Sequence, residues 1–326
     1  MSSRLKRQND KNLMLFTGRA HPDLANEVAA LLKVEIVPTR AITYANSEIY
    51  VRFEESVRGC DAFVIQSHAA PVNEWTMEQL IMVDALKRAS AKRITVVAPF
   101  YPYARQDKKH RGREPISARL IADLFRTAGA HRIMSVDLHA AQIQGFFDGP
   151  VDHLWAMPVL SDYLAKKYDT SEMTVVSPDA GRVRVADMWT DRLNCALAII
   201  HKRRDPNVVN TVAIHEVVGE VEGRVCLVVD DMIDTAGTIC QAAEALKARG
   251  AKAVIAAATH PVLSGPAIDR LKATEFEEVI VTDTLPIPEE RRFDTLTVLP
   301  IAPLIARAIR EVFEEGSVTS LFNGHA

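Results

Sequence analysis

The chain has 326 residues, enough for two domains of ordinary size, and with 48% hydrophobic and 25% charged residues it can supply both a sizeable core and a polar surface. A formal net charge of −3 argues against nucleic acid or an anionic membrane as a partner held by charge alone. The four cysteines (Cys60, Cys195, Cys226, Cys240) form no CxxC or zinc spacing, no apolar run reaches the roughly 18 residues of a membrane span, and the opening MSSRLKRQNDKNLMLF lacks a secretory apolar stretch, so a cytoplasmic protein with free thiols is expected.

Short apolar runs alternate with helical periodicity along the chain. LMLFTG (13–18) precedes the helical HPDLANEVAALL, and EIYVRFEE (48–55) alternates with period two. DAFVIQS (61–67) leads into EWTMEQLIMVDALKRAS, whose apolar positions recur at helical spacing. RITVVAPF (93–100) leads into a charged loop and then the helical SARLIADLFRTAG; RIMSVDLHA (132–140) follows. The second half repeats the scheme. PVLSDYLAKKY reads as helix, MTVVSPDAG as strand, RVRVADMWTDRL as helix and ALAIIHKRR as strand. RVCLVVDD then precedes a further helix, AVIAAATH follows, and IAPLIARAIREVFEE is an amphipathic helix near the end. Buried strands alternating with amphipathic helices predict α/β architecture with mainly parallel sheets covered on both faces. We expect two domains of similar build, residues 1–155 and 156–326.

The stretch VCLVVDDMIDTAGTICQAAEALKARG (225–250) carries the strongest chemical signal. Val225 to Val229 read as a buried strand. Thr238 to Arg249 read as a helix with Ile239, Ala242, Ala243 and Leu246 on one face and Gly250 at its end. The turn between them falls at the carboxyl end of a parallel strand, where small residues let backbone N–H groups converge on a phosphate. It is neither a Walker loop nor GxGxxG. The plainer alternative is a strand, turn and helix with an aspartate N-cap. Paired carboxylates at a strand end call for neutralising partners, and ribose hydroxyls or Mg²⁺ would serve. Thus Asp234, Thr235, Ala236, Gly237 and Thr238 are candidates for a sugar 5-phosphate, and Asp230 and Asp231 for the sugar hydroxyls.

This stretch resembles the phosphoribosyl pyrophosphate loop of type I phosphoribosyltransferases. Further motifs resemble one family within that group, ribose-phosphate diphosphokinase. They are YANSEIYVRFEESVRGCD (44–61), EQLIMVDALKRASAKRITVVAPFYPYARQDKKHRGREPISA (78–118), SVDLHAAQIQGFFDGPVDH (135–153), VVSPDAG (175–181), AIIHKRR (198–204) and ATHPVLSGPA (258–267). The resemblance implies two type I phosphoribosyltransferase-like domains. It also implies transfer of the diphosphoryl group of ATP to the C1 hydroxyl of ribose 5-phosphate, for nucleotide, histidine and tryptophan biosynthesis.

By charge alone, YARQDKKHRGRE reads as well as a solvated basic loop or nucleic-acid patch as it does as a site; the resemblance assigns Arg105 and Gln106 to ATP. It likewise assigns the hairpin residues Tyr44, Asn46, Ser47 and Glu48 to the adenine end of ATP. The usual pattern there is Phe-x-Asp/Asn-Gly-Glu, so Tyr44 replaces Phe and Ser47 replaces Gly, a costly exchange if the position needs positive φ. A lone histidine is more often structural, but His139 and Asp179 match the family's Mg²⁺ site, which Mn²⁺ can also fill. HKRR (201–204) reads by charge as a surface patch; the resemblance makes Lys202 and Arg204 the catalytic cations, with Arg204 also near ribose 5-phosphate. A further departure is Arg182 and Val185, where the commoner pattern reads Gly and Arg. Members commonly form homo-hexamers activated by inorganic phosphate. SVRG (56–59) and SVTSLF (317–322) resemble the regulatory phosphate contacts, whereas Gly112 and Ala141 stand where many members have serine. No nucleic acid or membrane partner is expected. A phosphoribosyltransferase without an ATP hairpin and a non-catalytic regulatory homologue are the competing readings.

Overall fold

The computed structural model describes residues 12–203 and 214–322. Two compact units make up the chain, Met1–Leu154 with Ala302–Ala326, and Trp155–Ile301.

The first unit runs β1 (Leu13–Thr17), α1 (Pro22–Leu32), β2 (Thr39–Thr43), β3 (Ile49–Phe53), β4 (Asp61–Ile65), α2 (Val72–Arg88), β5 (Arg93–Ala98), α3 (Ser117–Ala128), β6 (Arg132–Val136) and β7 (Val151–Leu154). Its sheet has the order β1-β4-β5-β6-β7, with every pairing parallel. β4 is buried along its whole length, as expected of a parallel strand covered on both faces. Phe16, Val64, Val96, Ile133 and Phe125 meet in one core cluster. Burying each such side chain is worth about 1.5–3 kcal/mol. β2 and β3 stand apart as an antiparallel hairpin.

The second unit runs α4 (Met157–Lys167), β8 (Met173–Ser177), α5 (Val183–Leu193), β9 (Ala196–Arg203), β10 (Ile214–Val218), β11 (Val225–Ile233), α6 (Gly237–Ala248), β12 (Ala253–Pro261), α7 (Ala267–Ala273), β13 (Glu278–Thr282) and β14 (Leu296–Leu299). Its sheet has the order β10-β9-β8-β11-β12-β13-β14. All pairings are parallel except β9 with the edge strand β10. A core cluster of Val176, Ile200, Val228, Ile239, Leu246, Val254 and Val279 lies against it.

The last helix, α8 (Ala302–Glu314), groups with the first unit, whereas the sequence reading placed residues 156–326 in one domain. Its apolar face packs on α1 and β7, and the Arg310 guanidinium donates to the Leu31 carbonyl at 3.4 Å. Periodicity shows that a helix has an apolar face but not which sheet covers it. Among the described residues no helix is long and apolar enough to cross a membrane.

Candidate active site

The second sheet reverses direction between two neighbouring strands. From β8 the chain moves outward to β9 and β10, returns to β11 beside β8, and then moves outward on the other side through β12, β13 and β14. The carboxyl ends of β8 and β11 therefore flank the crevice where connections diverge. Open α/β sheets bind ligands at that place.

The turn after β11 is built for a close approach. Ala236 adopts the left-handed conformation (φ 58°, ψ 2°) and α6 begins at the next residue without a side-chain cap, so the aspartate N-cap alternative does not describe it. Three donors hold its carbonyls: Leu263 N–H to Ile233 O at 2.8 Å, Ser264 N–H to Asp234 O at 2.9 Å and Arg270 Nη1 to Thr235 O at 2.9 Å. The turn is thus braced from the segment after β12 and from α7. A Cβ added at Gly237 would sit 3.2 Å from Arg270 Nη1, so the glycine keeps this brace close. A helix start without a side-chain cap suits an anion.

The carboxylates sit differently from the sequence expectation. β11 does not end at Val229; it continues through Asp230 and Asp231 to Ile233, because Asp230, Met232 and Ile233 keep pairing with β12. Both carboxylates are thus on the strand, not in the turn. Arg182, from the segment after β8, reaches both: its Nη2 lies 2.5 Å from Asp231 Oδ1 and its Nε 3.3 Å from Asp230 Oδ1. The three side chains are 8% (Asp231), 23% (Asp230) and 18% (Arg182) exposed. Burial first, then the neighbouring Asp231, push the Asp230 carboxyl up to about 8, and Arg182 acts against that rise. Burial lowers the proton affinity of the Arg182 guanidinium, but the carboxylates around it more than offset this and the net direction is up.

Asp179 follows β8, is exposed, and caps the short turn after it: Oδ1 accepts the Gly181 N–H at 2.8 Å and the Arg182 N–H at 3.1 Å. His139, in the first unit, follows β6 and is half-buried. Among the described residues no cluster of three or more His, Cys, Asp or Glu could hold a metal by itself.

The other expected site residues lie in the first unit. Tyr44, Asn46, Ser47 and Glu48 form the exposed tip of the β2–β3 hairpin. The Tyr44 N–H donates to Glu48 O and the Ser47 N–H to Tyr44 O, both at 2.8 Å, while Asn46 Oδ1 accepts the Glu48 N–H at 3.2 Å. Ser47 does take the positive φ (72°) for which glycine is the usual residue. Beside the tip is a cavity of about 700 Å³ lined by Tyr44, Ser47, Tyr50, Asn73 and Met77. Arg19 braces the hairpin next to its tip. It donates to Thr43 Oγ1 at 2.9 Å, pairs with the fully buried Glu78 at 2.6 Å and lies 5.7 Å from the Trp75 ring centroid. Arg105 and Gln106 are exposed in the loop after β5, and Gln106 Oε1 accepts from Ser117 Oγ at 2.6 Å.

Lys202 lies in β9, where its backbone is in register with His215 of β10, and Arg204 lies outside the described residues. Sequence reasoning missed Arg270 as the brace of the turn and noted Arg182 only as a departure from the family pattern. A cation next to the aspartate of SPDAG was the available signal.

A profile of the N-terminal domain of ribose phosphate pyrophosphokinase matches residues 13–129, and one of the phosphoribosyl synthetase-associated domain matches residues 206–323. A ribose-phosphate pyrophosphokinase of Streptomyces avermitilis is 68% identical over 319 residues, 98% of each chain. One from Mycobacterium tuberculosis is 64% identical with the same coverage. The crystal structure of phosphoribosylpyrophosphate synthetase from Mycobacterium smegmatis matches with a TM-score of 0.90 at 62% identity, over 94% of this chain and 100% of that one. Sequence, fold and the strand-end turn agree, and the chain belongs to the ribose-phosphate pyrophosphokinase family.

Proposed function

We propose that the chain transfers the β,γ-diphosphoryl group of ATP to the C1 hydroxyl of ribose 5-phosphate, giving 5-phosphoribosyl 1-pyrophosphate and AMP. The observation that carries this reading is the uncapped, externally braced turn at Asp234–Gly237, directly after two carboxylates on one strand. Relatives at 62–68% identity bearing the corresponding names support it.

In this mechanism the amides of Thr235 to Thr238 take the 5-phosphate, with Asp234 and its neighbours shaping the loop. Asp230 and Asp231 accept hydrogen bonds from the sugar hydroxyls. Tyr44, Asn46, Ser47 and Glu48 hold the adenine end of ATP, with the Tyr44 ring available for stacking. Arg105 and Gln106 hold its phosphates and ribose. A divalent cation, Mg²⁺ with Mn²⁺ as substitute, would offset the negative charge of the phosphates when bound. His139 and Asp179 would each offer it one ligand, a ring nitrogen and a carboxylate oxygen, and substrate phosphates and water would supply the balance. O1 attacks the β-phosphorus in line and AMP leaves. Lys202 and Arg204 meet the charge that develops there, and positioning with electrostatics supplies the acceleration.

Product analysis with ATP, ribose 5-phosphate and Mg²⁺ tests the reading. AMP and 5-phosphoribosyl 1-pyrophosphate should form in equal amounts. Release of ADP, or no turnover, would refute it.

A further inference from the structure

We infer that Arg182 is the positioning residue of the sugar site: it holds Asp230 and Asp231 in the arrangement that accepts the vicinal hydroxyls of a pentose phosphate. The inference rests on the sugar-binding role proposed for the two carboxylates and adds a residue to it.

Successive side chains on a strand leave from opposite faces. Asp230 and Asp231 are successive residues of β11, so the pleat alone would send their carboxylates apart. Both nevertheless bring an Oδ1 atom to one guanidinium, at 3.3 and 2.5 Å. The Asp231 N–H also donates to Asp230 Oδ1 at 2.9 Å, which turns the Asp230 carboxylate back along the chain. The shared cation comes from the adjacent strand, since Arg182 follows β8 and β8 pairs with β11. It is fixed at its own base, where the Arg182 N–H donates to Asp179.

Two mostly buried carboxylates side by side repel, and burial makes that repulsion strong. A planar guanidinium offers donors at fixed spacing to two acceptors at once, which a lysine ammonium on a flexible stem does not. A carboxylate oxygen accepts more than one hydrogen bond, so a donating hydroxyl adds to the Arg182 contact without displacing it. The arrangement therefore suits a ligand with two adjacent hydroxyls. A 2-deoxy sugar phosphate would use half of it.

The test uses the full-length protein with Arg182→Ala and Arg182→Lys, each checked for a cooperative thermal melt. Lysine serves as the second variant should alanine, which removes the cation shared by both carboxylates, fail to fold. Steady-state kinetics are measured for ribose 5-phosphate, 2-deoxyribose 5-phosphate and ATP. Lost charge-assisted contacts to the sugar should raise KM for ribose 5-phosphate by on the order of ten- to a hundredfold. KM for ATP should stay near wild type. Discrimination between the two sugars in kcat/KM should shrink, which a merely structural role would not produce. The milder lysine variant should show the same pattern to a smaller degree. Asp230→Asn and Asp231→Asn are run in parallel. If they weaken ribose 5-phosphate and a folded Arg182 variant leaves both its KM and the discrimination within about twofold of wild type, the inference falls and the site assignment stands. If the Asp variants also behave as wild type, the site assignment falls and takes the inference with it.

Discussion

In the first unit the guanidinium of Arg19 meets one carboxylate, Glu78, which also accepts the Arg19 N–H at 2.7 Å and the Gln66 amide at 3.0 Å. In the second unit the guanidinium of Arg182 spans two carboxylates of a single strand. The sheets differ in the same sense. The first orders its strands β1-β4-β5-β6-β7 without a reversal, and the second reverses between β8 and β11. The buried ion pair of the first unit is a strut: donors reach both oxygens of Glu78, and the result ties the tip end of the hairpin, at Thr43, to α2. The cluster of the second unit keeps two carboxylates side by side, and burial first, then the neighbouring Asp231, raise the proton affinity of Asp230. The same type of contact ties a hairpin to a helix in one place and gathers two carboxylates of one strand in the other.

Lys202→Ala should sharpen this division most, because the proposed chemistry belongs to the second unit. We expect kcat to fall by on the order of 10²–10³, equivalent to about 3–4 kcal/mol, with the binding of both substrates little changed. Steady-state kinetics that find kcat within about threefold of wild type would leave HKRR as a surface patch. Asp231→Asn comes next. It should weaken ribose 5-phosphate by about 1.5–3 kcal/mol and leave ATP unaffected, as read by calorimetry. Tyr44→Ala should do the reverse in the first unit, costing ATP about 0.5–1.5 kcal/mol. Effects of both variants on the same substrate would break the comparison.

The two units should also respond to pH with opposite sign. His68, buried in the first unit with Nδ1 2.9 Å from the Phe100 carbonyl, is lowered to about 4, chiefly by burial. Stability from a depressed group is present above its unfolded value of 6.5 and is lost as pH falls toward 4. Asp230 is raised from 3.8 to about 8, so its contribution is present below 3.8 and is lost as pH rises through 8. Thermal melts should therefore show His68→Gln flattening the acid side of the wild-type profile. Asp230→Asn should gain on wild type between about pH 4 and 8. Shifts of the same sign would remove the contrast. The smallest expected effect is at the hairpin tip, where Ser47→Gly relieves the φ of 72° and should stabilise the protein by up to about 1 kcal/mol in denaturant unfolding.

Much of this organisation was legible in the sequence. Apolar runs such as DAFVIQS and MTVVSPDAG became fully buried parallel strands, and the TAG stretch became the turn between a strand and a helix that its small residues suggested. The edge strand β10 was not legible, because IHEVV does not form a continuous apolar run. Nor was the extension of β11 through Asp230 and Asp231, since aspartate disfavours strands and only pairing with β12 overrides that preference. Arg182 lies 49 residues from Asp231 in sequence, and the two meet because β8 and β11 are neighbours at the reversal. Adjacency of that kind is a property of topology and leaves no local pattern.

The most direct test of the central claim, that the reversal in the second sheet holds the sugar phosphate, is amide hydrogen exchange with each substrate alone. Ribose 5-phosphate should slow exchange at Asp234 to Ile239, and ATP without the sugar should slow exchange around Tyr44 to Glu48 and Arg105 to Gln106. Protection of the hairpin by ribose 5-phosphate, with the turn after β11 unchanged, would contradict the account.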